Sequence, residues 1–319
     1  MISQQLFNNP IRLKRCTGLT VDQFNLLVSL LKPLWEEAEI KRLSQGNRLR
    51  AIGAGHPYGL KTLKEKLFCL LLWYKLYPDF WFLGMIVNLD ASNVCRLVSR
   101  LKPLLEEAAD PNLSLSLKTK LNKIKIKLPS LKGRKKISSW DDLKRQFPKV
   151  AEILIDATEQ QRKRPKKRTQ KKYYSGKKKR HTLKTQLIIN PQGQILAVSK
   201  TYPGSIHDYE IFRKNKTAKK IPKNTKTYLD RGYQGINKDF PDLMALTPIK
   251  KNRWKRQLTL SEKIYNTKLA KKRVVVEHII SRLKKYQILA GIFRNRVDNY
   301  NQDFRNIAAL INFRLAYTT

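Results

Sequence analysis

Three acids stand where a carboxylate could do chemistry. Asp156 follows the apolar run Ile153-Leu154-Ile155, Asp230 follows the apolar end of 225–229, and Glu277 lies inside Arg273-Val274-Val275-Val276-Glu277. Two of them close predicted strands, and in open α/β sheets functional groups gather at the carboxyl ends of strands. Carboxylate oxygens suit Mg²⁺, a hard cation that shares its coordination with phosphate. Two such ions about 3.5–4 Å apart can activate an attacking oxygen and stabilise a leaving one. A plainer assignment makes Asp156 and Asp230 turn caps and pairs Glu277 with Arg273 four residues earlier or with a nearby lysine. Taken jointly, in this order and on these elements, the three favour metal. Asp208 is the rival second carboxylate, but it falls at a predicted helix start, where capping or DNA positioning suits it better. His207 is expected to be structural, and Glu159 to be a solvated loop acid.

The elements that must position these acids follow from periodicity. Strands are expected at 152–156, 184–190 and 195–201, the first three forming an antiparallel meander, then at 225–229 and 246–249. Helices are expected at 206–214 and at 273–286, the latter with Val276, Ile279, Ile280 and Leu283 as its apolar stripe. Strands followed by alternating helices and strands make this half α/β with a mixed sheet. Residues 251–272 read as an insertion before the glutamate helix, and Trp254 there could stack on or wedge into DNA.

Between the first two strands runs a segment with many Lys and Arg and no acid after Glu159. It includes Lys177, Lys178 and Lys179, which are expected to contact phosphate. Tyr173 and Tyr174 sit among these cations, either to stack on unpaired bases or to pack against the sheet. The whole chain of 319 residues has a formal net charge of +43 and a pI near 10.3, while 41% hydrophobic residues suffice for a core. Self-repulsion of that size points to a polyanion as the usual partner, bound by phosphate neutralisation and counterion release. No lipidation motif, signal peptide or amphipathic lysine helix suggests a membrane, and the apolar run 67–74 is too short to span one. Cys16, Cys69 and Cys95 are odd in number and lack CxxC spacing, which excludes a disulfide framework or zinc site and fits small buried hydrophobes in a reducing cytosol.

The first hundred residues read as helical: 21–39 with Thr20 as N-cap, 62–77 with a Thr62/Glu65 capping box, 80–87, and 91–108. Pro33 and Pro103 are expected to kink or split their helices. A short helix, the turn Asn88-Leu89-Asp90 and a helix opening Ala91-Ser92-Asn93 have the pattern of a helix-turn-helix. Ser92, Asn93 and Arg96 would then lie where side chains reach base edges; a plain helical bundle with solvated polar residues is the other possibility. A lysine-rich linker spans 113–133, and a short helix 140–147. The resulting division is 1–50 helical, with no role assigned beyond packing or assembly, 51–110 helix-turn-helix, 111–150 linker and 151–319 catalytic.

Five segments in order carry a resemblance: Ile155-Asp156-Ala157-Thr158, the run from Tyr173 to Lys179, Pro203-Gly204-Ser205-Ile206-His207-Asp208, Asp230-Arg231-Gly232-Tyr233-Gln234-Gly235, and Arg273 to Glu277. Together they resemble the DDE transposases of bacterial insertion sequences, in the group related to Harbinger, over about residues 60–315. The resemblance implies an RNase H-like core preceded by a helix-turn-helix domain, with Asp156, Asp230 and Glu277 as the catalytic, metal-binding triad. It implies two Mg²⁺ ions, with Mn²⁺ as the expected substitute, and double-stranded DNA as partner, both transposon ends and target. A homo-oligomeric synaptic complex in the cytoplasm, at the nucleoid, is implied as well. Arg273 and Lys284 match basic residues that touch DNA in related enzymes, although Ala270 stands where a tyrosine often precedes that arginine.

Overall fold

The computed structural model describes residues 7–44, 59–109, 152–221, 225–251 and 257–317. The linker 113–133, the helix at 140–147 and Trp254 lie outside them. Contacts divide the chain into two compact units: Met1–Ile126 with Lys285–Ile288 and Gln302–Thr319, and Lys127–Lys284 with Leu289–Asn301.

In the first unit, α1 (Pro10–Thr17), α2 (Val21–Leu43), α3 (Leu63–Leu76), α4 (Phe80–Val87) and α5 (Ala91–Ala109) follow one another. Each of α2 and α3 opens on a reciprocal capping box, Thr20 with Gln23 and Thr62 with Glu65, so that backbone donors at the helix start find side-chain acceptors. Neither Pro33 nor Pro103 splits its helix. An interior proline costs about 3 kcal/mol, but buried Leu30, Leu31, Leu34 and Trp35 flank Pro33, and Leu101, Lys102 and Leu105 flank Pro103. Packing of these faces holds both helices continuous. Between α4 and α5, Asn88 closes α4 in the left-handed conformation. Gly84 is required here, because a Cβ would collide with the Leu89 carbonyl oxygen. Cys69 is buried as expected, whereas Cys95 is exposed and Cys16 intermediate; on α5, position 95 lies off the face that buries Val94, Leu97, Val98 and Leu101.

The second unit is built on a sheet of mixed direction. β1 (Glu152–Gln161) pairs antiparallel with β3 (Arg180–Ile189), and β3 pairs with β4 (Ile195–Val198), giving the expected meander. β1 then pairs in parallel with β6 (Lys226–Tyr228), and β6 with β7 (Ala245–Leu246). The short strands β2 (Tyr174–Ser175) and β5 (Tyr202–Pro203) each join β3. One face of the sheet, through Ile153, Ile155 and Ile188, packs on Phe212, Leu229, Tyr233 and Ile236. Phe212 belongs to α6 (Asp208–Lys214).

Two expectations change here. β1 does not stop at Asp156 but runs on to Gln161, so Asp156 lies within a strand. What ends there is the parallel neighbour, since β6 pairs only with Glu152, Ile153 and Leu154. The helix α7 (Leu260–Leu283) begins thirteen residues before the expected 273, absorbing much of the supposed insertion. α8 (Val297–Ala316) closes the described chain. No described helix is long and apolar enough to cross a membrane.

Candidate active site

Alternation along β1 places Glu152, Leu154 and Asp156 on one face, and Ile153, Ile155 and Glu159 on the other. The first face meets α7. Lys272 Nζ contacts Glu152 Oε2 at 2.7 Å, and Arg273 donates from Nη2 to Asp156 Oδ2 at 3.4 Å. From Nη1 the same guanidinium donates to Asp230 Oδ1 at 2.9 Å. Asp230 stands just past the end of β6, so the missing continuation of that strand leaves room for its carboxylate beside Asp156. One arginine thus bridges the two aspartates singled out by their strand ends. Arg273 pairs with the two aspartates and not with Glu277, the partner the plainer assignment gave it.

The opposite face carries a second cluster that sequence patterning missed. Glu159 and Lys184 are cross-strand partners on β1 and β3. The Lys184 ammonium lies 3.2 Å from Glu159 Oε1 and 3.1 Å from Asp208 Oδ1, and donates to the Ile206 carbonyl at 2.9 Å. Glu159 is therefore a largely buried strand acid, not a solvated loop acid. Asp208 is the first residue of α6, with His207 in the cap position, and its carboxylate engages a lysine instead of capping. Its Oδ2 would be 3.7 Å from a Cβ added at Gly232, which brings it close to the turn carrying Asp230. The available signal was a lysine inside the strand-like run Leu183-Lys184-Thr185-Gln186-Leu187; its pairing with Glu159 is set by register alone. Beneath it, Gln186 Nε2 donates to the Tyr233 hydroxyl at 2.9 Å and tethers the Asp230 turn to β3.

Burial drives the electrostatics. The Asp156 carboxyl is raised to about 6, chiefly by desolvation; the Ala157 backbone N–H and Arg273 pull it down, and Asp230 and Asp208 push it up. Four carboxylates, Asp156, Asp230, Glu159 and Asp208, form ion pairs with two cations, Arg273 and Lys184. Glu277 is exposed, one helical turn beyond Arg273 on α7, and has no ion pair among the described residues. Among those residues no three His, Cys, Asp or Glu side chains form a group that could hold a metal ion. The Asp156–Asp230 pair nonetheless fits a divalent cation: its oxygens are hard donors, a cation already bridges them, and the buried Nε of that bridging arginine has no acceptor.

Of the predicted DNA contacts, Ser92, Asn93, Arg96, Lys177, Lys178, Lys179 and Lys284 are exposed, whereas Arg273 is largely buried against the two aspartates. Lys177, Lys178 and Lys179 form the exposed tip of the β2–β3 hairpin. Lys284 ends α7; crowding around its ammonium and nearby Lys178 lower its pKa, which Glu159 opposes. Tyr173 has Arg162 over its ring at 4.2 Å, and Tyr174, exposed, sits edge-on to His181 with centroids 5.7 Å apart. In the first unit Arg96 donates to Asn93 Oδ1 at 3.0 Å, and the Ser92 N–H is capped by Asp90. Asn93 and Arg96 line a cleft of about 440 Å³ together with Arg100, Lys66 and Trp35.

Residues 155–312 match the family model described as a DDE superfamily endonuclease. The chain is also 30% identical, over 96% of its length and 95% of the relative's, to the probable transposase for insertion sequence element IS702 of Microchaete diplosiphon. No solved structure matches. With identity sustained across nearly all of both chains, and with the endonuclease match beginning one residue before Asp156 and running past Glu277, this chain belongs to the DDE transposases of insertion sequences.

Proposed function

We propose that the chain cuts DNA at the terminal repeats of its element and joins the freed 3′-hydroxyl to target DNA, in a Mg²⁺-dependent phosphoryl transfer. The observation that carries this is the local charge deficit: in a chain with 67 Lys and Arg against 24 Asp and Glu, four acids in two neighbouring clusters around β1 share two cations. That region is short of positive charge that a bound cation would supply.

Asp156 and Asp230 would hold the metal, with Glu277 completing the set from α7. When bound, Mg²⁺ supplies Lewis-acid stabilisation of the attacking and leaving oxygens. The protein's own groups orient the reaction. β1 and the Asp230 turn fix the two aspartates, and Lys184 holds Asp208 beside them. Arg273 and Lys284 offer cations to the phosphates, as do Lys177–Lys179 at the hairpin tip, which position DNA without reading it. The strand order β4-β3-β1-β6-β7, antiparallel on one side of β1 and parallel on the other, supports an RNase H-like core. The α4–turn–α5 unit would serve as helix-turn-helix, with Ser92, Asn93 and Arg96 toward base edges. Joining two ends calls for a homo-oligomer, and the expected place of action is the bacterial cytoplasm, at the nucleoid.

The test is cleavage and strand transfer of labelled element-end DNA with Mg²⁺. Cut ends joined to target support the proposal. Cleavage without joining marks a nuclease, and end binding without cleavage marks a DNA-binding derivative; either defeats it.

A further inference from the structure

We propose that Arg273 is a stand-in cation. Its guanidinium bridges Asp156 and Asp230, the two acids that would hold a divalent ion, and it would have to leave before an ion enters. This rests on the metal-dependent function proposed above.

Three observations carry it. First, the guanidinium spans two carboxylates from different elements, β1 and the turn after β6, through separate nitrogens at 3.4 and 2.9 Å. That is the bridging role of a metal, not the parallel two-bond fork that makes an arginine–carboxylate pair strong. Second, the fit is incomplete. The side chain is only 13% exposed, yet its buried Nε–H meets no acceptor, and a buried donor without a partner costs about 1–3 kcal/mol. Arg273 is held here without being satisfied. Third, Glu277 lies one turn further along α7, exposed and without an ion pair among the described residues. Withdrawal of Arg273 would therefore release Asp156 and Asp230 to join Glu277 on an incoming cation, while Glu159 and Asp208 keep Lys184.

Arginine presents the donor geometry that phosphate accepts in pairs. A DNA phosphate would give the displaced guanidinium, including its Nε, the acceptors it lacks. Metal entry and phosphate binding become linked: the apparent metal affinity of the DNA-free chain is reduced by the fraction of molecules in which Arg273 has moved away. The chain would then load metal weakly until DNA arrives, which limits idle hydrolysis.

The experiment titrates the full-length chain with Mn²⁺ in the absence of DNA and reads free Mn²⁺ by electron paramagnetic resonance. Arg273→Gln removes the competing cation and should bind Mn²⁺ at least ~10-fold more tightly than wild type, the size of a modest shift in the competent fraction. Arg273→Lys, which can face only one carboxylate at a time, should fall between them. It carries the comparison if Arg273→Gln does not fold, as judged by circular dichroism. Equal or weaker binding by the variants overturns the proposal; if wild-type binding is still abolished by Asp156→Asn, the metal centre itself survives. Absence of Mn²⁺ binding in folded wild type and folded variants removes the stand-in role and the metal-dependent function together.

Discussion

Two carboxylates, one in each unit, have the same raised pKa and opposite surroundings. Asp303, on α8, is fully buried and faces Lys102 at 2.6 Å and the Tyr74 hydroxyl at 3.3 Å. Tyr74 in turn accepts from Asn306, which also reaches the Lys102 carbonyl. Asp156 is raised to about 6 as well, again mainly by burial. The difference lies in charge balance and access. Asp303 has a cation of its own, with its Oδ2 and the neighbouring Asn306 Oδ1 buried without a hydrogen-bond partner, whereas Asp156 shares Arg273 with Asp230, whose side chain is 37% exposed. The Asp303 cluster ties α3, α5 and α8 together. The open one is short of positive charge beside the end of β6, where a substrate can approach. Raised pKa alone does not distinguish these two acids; the number of cations per acid does.

The sharpest way to break this comparison is to neutralise one member of each site. Asp156→Asn or Asp230→Asn should lower DNA-end cleavage by about 10³-fold or more, a loss of several kcal/mol of metal-borne stabilisation. The thermal midpoint should stay near wild type; a variant that cleaves normally would move the chemistry elsewhere. Lys102→Met should do the reverse. It strands Asp303 in the core and should cost about 3 kcal/mol of stability, visible as an earlier denaturant midpoint, with residual cleavage in whatever remains folded.

The pH dependence sharpens the structural half. Asp303 is raised from the ordinary 3.8 to about 6, so between these values the folded chain holds a proton that the unfolded chain releases. Its stabilising contribution is full below about pH 4 and is lost as pH rises through 6, an effect on the order of 1–3 kcal/mol. Urea midpoints measured from pH 4 to 7 should show this component in wild type and not in Asp303→Asn. The smallest expected effect is at the hairpin tip. Lys178→Ala should weaken DNA binding a few-fold regardless of sequence and reduce the salt-dependence slope by about 0.9, measured by fluorescence anisotropy at several ionic strengths.

Much of this was legible from residue patterns. The first-unit helices have apolar spacing and capping pairs, and α4 runs over the expected residues. Asp156 and Asp230 could be singled out because short apolar runs deliver them. What stayed hidden has a common cause: those segments lack an apolar signal. Residues 157–161, Ala-Thr-Glu-Gln-Gln, look like a loop and are strand because β3 supplies their hydrogen bonds. The first half of α7 buries only Leu269, so no apolar stripe announces it. The Lys184 cluster depends on which residue lies opposite Glu159, a matter of register that periodicity does not report. The bridge from Arg273 to two aspartates joins positions 43 and 117 residues apart, and only the folded chain reveals it.

The continuity of β1 through Asp156 has a consequence for how the enzyme would measure DNA. The strand runs unbroken from Asp156 to Gln161 and hands directly into the basic arm. Five residues of strand at about 3.3 Å each span roughly 17 Å, close to five base-pair steps of about 3.4 Å along the axis of a DNA helix. If the arm lies along the DNA axis, carboxylate and arm would be the two ends of a ruler. Protection at phosphates about five positions from the cut should disappear first when the arm lysines are replaced, as hydroxyl-radical footprinting would show. Protection lost at the cut itself would mean that the ruler does not lie along the DNA.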